Sequence, residues 1–211
     1  MKKGYFIALE GIDGSGKSAL AEKLAEKIIK MGFSVLHTGE PTMNGRYGKI
    51  IHRILNHVAT APDPLTFQKL YVQDRRNHVR RVIKPALKRG VVVLSQRYAP
   101  SAFAFGMAEG GSYASIFALH KSILKDDFIR PDLTIILDVP ARLAMTRIHK
   151  RGRSAEYFEK EKKLSKARNV YWNLVKKSGL GSMVLIDARK SLKQVVERAL
   201  RALKAVLIIV N

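Results

Sequence analysis

Tyr5-Phe-Ile-Ala-Leu-Glu-Gly-Ile-Asp-Gly-Ser-Gly-Lys-Ser18 decides how the rest of the chain is read. Tyr5 to Leu9 is an unbroken apolar run, which reads as a strand buried on both faces of a parallel sheet. Gly11 to Ser18 then fits G-x-x-x-x-G-K-[S/T], the loop that cradles phosphate. Gly11 and Gly16 free the backbone to wrap around an anion, so that successive N–H groups point at phosphate oxygens. Lys17 is placed to reach the β- and γ-phosphates, and the Ser18 hydroxyl to ligate Mg2+. From Ser18 a helix is expected, with Leu20, Leu24 and Ile28 along one face and its positive end towards the phosphates. A match of this length arises by accident in roughly one such chain in a hundred. The strand before it and the helix after it are the context that gives it meaning.

Composition narrows the class. The chain has 211 residues, within the range of one α/β domain with a full core, so a single domain over residues 1–211 is expected. The absence of cysteine excludes disulfides and thiolate chemistry and suits a reducing, cytoplasmic setting. Met1-Lys-Lys-Gly leads directly into the first strand with no visible signal segment. The longest apolar run, Ala205 to Val210, is far too short to cross a bilayer. Lys and Arg number 39 against 17 acids, a formal charge of +22. Three readings of that charge stand: non-specific nucleic-acid binding, a site for two phosphorylated substrates, and a solvated surface adapted to heat or salt. The second needs only a few of these charges, and composition does not separate the first from the third.

Further strands are expected at Ser34 to Thr38, Val91 to Ser95, Leu133 to Val139 and Met183 to Ile186. Helices are expected at Arg46 to Val58, at Leu65 to Arg89 with a bend near Pro85, and at about Ser112 to Lys125 after a Gly-rich break at Gly106 to Gly111. Others are expected from Pro140, from about Ala155 to Lys177, and from an N-cap at Ser191. Five strands alternating with helices mean a parallel sheet covered on both faces. Ligands bind such sheets at the carboxyl ends of the strands. The loops at 10–18, 39–42, 96–101 and 187–190 should therefore share one rim.

The rest of the sequence bears on the reaction. A switch GTPase needs a guanine-reading N-K-x-D, which the chain lacks. Motor ATPases usually end a strand in an acid for Mg2+, but strand 91–95 runs into Ser95-Gln96. Arginines are scattered at loop positions instead: Arg46, Arg75, Arg76, Arg97, Arg147, Arg151 and Arg153. Arginine bridges phosphates bidentately, as transfer between two charged substrates requires. Arg147, Arg151 and Arg153, broken by Gly152, suit a lid over about 147–157 that closes and excludes water.

Glu10 to Ser18, Glu40-Pro41, Arg97-Tyr98 with Ser101, Arg130-Pro-Asp-Leu-Thr-Ile-Ile-Leu-Asp138 and the basic lid together resemble the thymidylate kinase family nearly end to end. The resemblance implies a P-loop kinase fold, ATP as donor, Mg2+, dTMP as acceptor, dTDP as product and a homodimer pairing through the helices at 46–58 and 65–89. It implies that Gly11, Asp13, Gly14, Ser15, Gly16, Lys17, Ser18 and Ala19 hold ATP, with Arg147 and the backbone near Ala188-Arg189 against the adenine. On the acceptor side it implies Asp13 near the sugar 3′-hydroxyl, Arg75 on the phosphate, Arg97 between the two phosphates, and Glu40 and Pro41 nearby. Tyr71 would flank the base, Tyr98 would lie under the sugar, and Ser101 would approach the base. A core role for Tyr71 stands beside that one. Lys17, Arg97, Gln96, Arg151 and Arg153 would form the catalytic set. Gly14 leaves the phosphate loop without the basic residue some members carry, so Arg151 or Arg153 must supply it.

One departure is Gln96, where the family has an aspartate linked to Mg2+. Ser18 and Glu10 are then the expected metal-side residues, and reduced turnover is expected. Two rival readings follow: a related kinase taking dUMP or another monophosphate, and a weakened nucleotide- or nucleic-acid-binding P-loop protein. The six histidines form no ligand pattern, and His52 and His57 read as surface or packing residues.

Overall fold

The β-branched and apolar runs form the strands, and the helices between them cover both faces of the sheet. A computed structural model describes residues 4–152, 156–177 and 180–207. In chain order the elements are β1 (Phe6–Glu10), α1 (Lys17–Lys30), β2 (Val35–Gly39), α2 (Arg46–Leu55), α3 (Pro64–His78) and α4 (Lys84–Lys88). They continue as β3 (Val92–Gln96), α5 (Ala99–Ala108), α6 (Tyr113–Leu124), β4 (Leu133–Asp138), α7 (Ala141–His149), α8 (Glu161–Lys177), β5 (Met183–Asp187) and α9 (Leu192–Leu207). The five strands run in the order β2-β3-β1-β4-β5. Every pair is parallel.

Because side chains alternate along a strand, β1 feeds two cores. Ile7 and Leu9 pack on the side of Leu20, Leu24 and Phe103, while Phe6 and Ala8 pack with Val79, Ile83 and Tyr98. All five residues of β1 are buried, as the central position of the strand demands. Parallel register brings Leu9 opposite Gln96 of β3 on one side and Ile135 of β4 on the other. The carboxyl ends Glu10, Gly39, Gln96, Asp138 and Asp187 thus form one rim.

Several expected elements differ in detail. The helix expected over 65–89 is α3 and α4 joined by a π-helical turn at Val79–Ile83. Pro85 follows immediately, and its missing N–H breaks the regular ladder there. The helix α5 was not expected. Nine of its ten residues are buried, so it shows no amphipathic period, and Gly106 inside it resembles a loop signal. That glycine serves packing: a Cβ there would sit 2.8 Å from Gln68 Cγ and 2.8 Å from Ile116 Cδ1. The helix expected from about Ala155 starts at Glu161, and α2 stops at Leu55. Pro140 occupies the N-cap of α7 instead of its first turn. No helix among the described residues is long and apolar enough to cross a membrane.

Candidate active site

The phosphate loop closes on its own lysine. Gly16 has φ 99° and caps α1, while Lys17, 8% exposed, donates Nζ to Gly11 O at 3.0 Å and Ile12 O at 2.9 Å. Burial, and then the nearby Arg97 charge, push the Lys17 amine down to about 7. Gly14 has φ 75° and lies against α7, where a Cβ would stand 2.4 Å from Ala144 O. Position 14 therefore has no room for any side chain, basic or otherwise, unless α7 moves. Ser18 donates its hydroxyl to Gln96 Oε1 at 2.9 Å, and Gln96 Nε2 meets His37 Nε2 at 2.8 Å. Two oxygen groups, a hydroxyl and a carboxamide, thus stand together at the mouth of the loop.

Arg97 is the hub. It follows β3 with φ 70°, a left-handed conformation uncommon for a side-chain residue, and its N–H donates to Leu9 O at 2.9 Å. Its guanidinium donates to Gly11 O at 3.3 Å and Ser101 Oγ at 3.1 Å, pairs with Asp13, and lies 4.9 Å from the Phe105 ring centre. Burial works to raise the Asp13 carboxyl, but Arg97 and Lys17 overcome it and hold the group below its ordinary range.

Two cavities meet at this hub. An open cleft of about 990 Å³ is lined by Lys17, Gln96, Arg97, His37, Glu40 and Arg46, among others. A smaller cavity of about 120 Å³ lies deeper, between Asp13, Tyr71, Arg97, Ser101, Phe105 and Phe158. Arg97, Pro41 and His52 line both. At the other end of the loop Arg147 donates to Gly14 O at 3.4 Å and Ala188 O at 2.9 Å, so the loop after β5 joins the rim.

Asp13, Lys17, Ser18, Pro41, Tyr71, Gln96, Arg97, Ser101 and Arg147 are thus brought together. Arg189 lies on the same rim, paired with Asp187 at 2.9 Å. Arg151 is exposed and stands 3.5 Å from Glu159 at the edge of the lid. Arg153 lies outside the described residues.

Three of the expected site residues line neither cavity. Glu10 is the first. It is completely buried and accepts from Tyr98 N at 2.7 Å, Ser101 N at 3.3 Å, Ser101 Oγ at 2.6 Å and Tyr171 Oη at 2.8 Å. Burial raises its carboxyl, against Ser101 and Arg97, and both oxygens are spent fixing the start of α5. Arg75 is the second. At 1% exposure it donates Nε to Glu40 at 2.8 Å, Nη1 to His120 Nε2 at 2.7 Å and Nη2 to Tyr98 O at 2.9 Å. Burial, then the Arg75 charge, push His120 down to about 3, so the ring is neutral and accepts that bond. Tyr98 points into the second core, edge-on to Phe6 at 4.8 Å and under Arg75, and lines neither cavity. A polar side chain beside a site motif can turn into the core when the core supplies partners, as it does for Glu10 and Arg75.

Sequence reasoning missed Gln68, Phe105, Phe158 and His52 as cavity residues. The spacing of Gln68 and Tyr71, i and i+3 on one helix face, was the available signal for the first. Asp74 was missed as well. It accepts from Thr42 N at 2.7 Å and Thr42 Oγ1 at 2.6 Å and so fixes the loop after the cis Glu40–Pro41 bond.

Comparison with known proteins agrees with this geometry. A family model described as thymidylate kinase matches residues 9–199. A probable thymidylate kinase of Pyrococcus abyssi is 34% identical over 200 residues, covering 92% of this chain and 93% of that protein. One of Staphylothermus marinus is 37% identical, covering 91% and 90%. A bacterial relative, the thymidylate kinase of Xylella fastidiosa, is 33% identical over 97% of this chain and 88% of its own length.

Proposed function

Because this chain belongs to the thymidylate kinase family, we propose that it transfers the γ-phosphoryl group of ATP to dTMP and makes dTDP. The observation that carries the reading is the junction of the two cavities at Arg97. A nucleoside in the 120 Å³ cavity sends its 5′-phosphate towards the cleft, where Arg97 and Lys17 meet the phosphate loop. Arg46, lining the same cleft, takes the phosphate role that buried Arg75 cannot. Asp13 sits on the cavity wall with its carboxylate held ionised by Arg97, suited to a sugar hydroxyl.

Catalysis in this arrangement is positioning and charge compensation. The loop N–H groups and Lys17 take up the donor phosphates. Phosphate oxygens beside the Lys17 amine favour its charged form, against the burial and the Arg97 charge that lower it. Arg97 spans the acceptor phosphate and the group in flight, and Arg151 and Arg153 close from the lid. Arg147 and the loop at Ala188-Arg189 receive the adenine.

The donor set fits Mg2+, a hard cation that takes few protein ligands and keeps water and phosphate oxygens. Ser18 and Gln96 would hold it, directly or through water, and it would neutralise phosphate charge. The finer parts of the reading are a single kinase domain, a two-fold homodimer and a cytoplasmic location. The +22 surface adds a non-specific attraction to nucleic acid that salt screens, which a salt titration of duplex-DNA binding reads.

Phosphorus NMR of the protein with ATP, Mg2+ and dTMP tests the transfer. The expected result is growth of dTDP resonances in step with loss of the ATP γ-phosphate. ATP loss with release of inorganic phosphate and no dTDP would overturn it.

A further inference from the structure

Gln68 is 1% exposed, and neither its Oε1 nor its Nε2 has a hydrogen-bond partner. A buried amide with both ends unmet is costly and calls for an explanation, such as a water, an ion or a ligand that completes it. Its surroundings say what that is. Gln68 lines the 120 Å³ cavity with Tyr71, Arg97, Ala102, Phe105 and Phe158. The aromatic walls suit a flat ring, and Ala102 offers no competing polar group. The Gln68 side chain also lies across Gly106, where a Cβ would stand 2.8 Å from its Cγ and 3.2 Å from its Cδ. The gap that Gly106 leaves in α5 thus seats the Gln68 side chain together with Ile116.

We propose that Gln68 is a specificity-determining residue that hydrogen-bonds the polar edge of the acceptor base. The inference rests on the reading of this cavity as the acceptor site. A 4-oxo pyrimidine presents an N–H flanked by carbonyls, and the amide matches it: Oε1 accepts from the ring N3–H while Nε2 donates to the adjacent C=O. Tyr71 lies one helical turn further along α3 and presents its ring to the same space. Arg97 holds the phosphate end. The base edge and the phosphate are then read from opposite ends of the cavity.

The test compares the wild-type protein with Gln68→Met, an unbranched side chain of similar size, using dTMP and its N3-methylated analogue. Ligand binding is read by thermal shift and turnover by ADP release. In Gln68→Met the KM for dTMP should rise at least about tenfold with kcat within about twofold. The penalty for N3-methylation should shrink from large to slight. The ligand-free protein should melt no lower than wild type, because the variant removes an unmet amide. A purely structural role for Gln68 would instead lower that melting temperature and leave the methylation penalty intact, and would overturn the proposal. So would an unchanged KM. If dTMP fails to stabilise even the wild type, the acceptor-site reading falls first and this inference with it. If dTMP stabilises both proteins equally, only the role of Gln68 falls.

Discussion

Gln96 is the residue on which the expected turnover depends most. Its Oε1 accepts from Ser18 and its Nε2 meets His37, so the carboxamide already stands where the phosphate loop meets β3. It contributes geometry but no negative charge against a cation. Glu10 cannot substitute, since both its oxygens are committed to Tyr98, Ser101 and Tyr171. Gln96→Asp is expected to raise kcat at least about tenfold, or 1.4 kcal/mol, with little change in either KM. Steady-state kinetics across a Mg2+ titration check this. Equal or lower turnover at saturating Mg2+ would mean that Gln96 and His37 form a retuned site in which an added carboxylate repels the phosphates. The loop itself was readable from spacing alone, because each position is fixed by local backbone demands. The room at position 14 was not, since the Ala144 carbonyl that fills it comes from 130 residues away.

Elements carry the site by cross-bracing. Arg75 of α3 ties Glu40, at the end of β2, to Tyr98 before α5 and to His120 of α6. His78, one turn along α3, meets the other Glu40 oxygen at 3.1 Å and Thr38 at 2.7 Å. Arg75→Met removes the cation and leaves Glu40 buried without its main partner. The expected cost is about 3–5 kcal/mol of stability, read as a large drop in urea midpoint. A midpoint close to wild type would show that the network is dispensable. The strands and their parallel direction were legible because apolar runs alternate with helical segments along the chain. The helix α5 was not, because a helix buried all round has no period to read, and its glycine is required by Gln68 of a different element. The same limit explains Arg75 and Tyr98: sequence places a residue on an element, while the packing of other elements decides where its side chain turns.

At the scale of the molecule, one feature lies outside the site. The α2–α3 region leaves Ile50, Val58 and Leu65 exposed, with Val58 at 65%. Ile50 lies in α2, Leu65 in α3 and Val58 in the turn between them, the region through which the proposed two-fold dimer pairs, an isologous arrangement in which one patch meets itself. Light scattering at micromolar concentration should give twice 23.7 kDa, and a mass near 23.7 kDa throughout would refute the dimer. The central claim concerns what fills the two cavities that meet at Arg97. The most direct measurement is kcat/KM for ADP release with ATP and Mg2+ over dTMP, dUMP, dCMP and UMP. The account predicts the highest value for dTMP, by at least about tenfold over dCMP, because the amide proposed to read the base edge matches a 4-oxo pyrimidine and not a 4-amino one. Preference for another monophosphate, or equal values across the four, would contradict it.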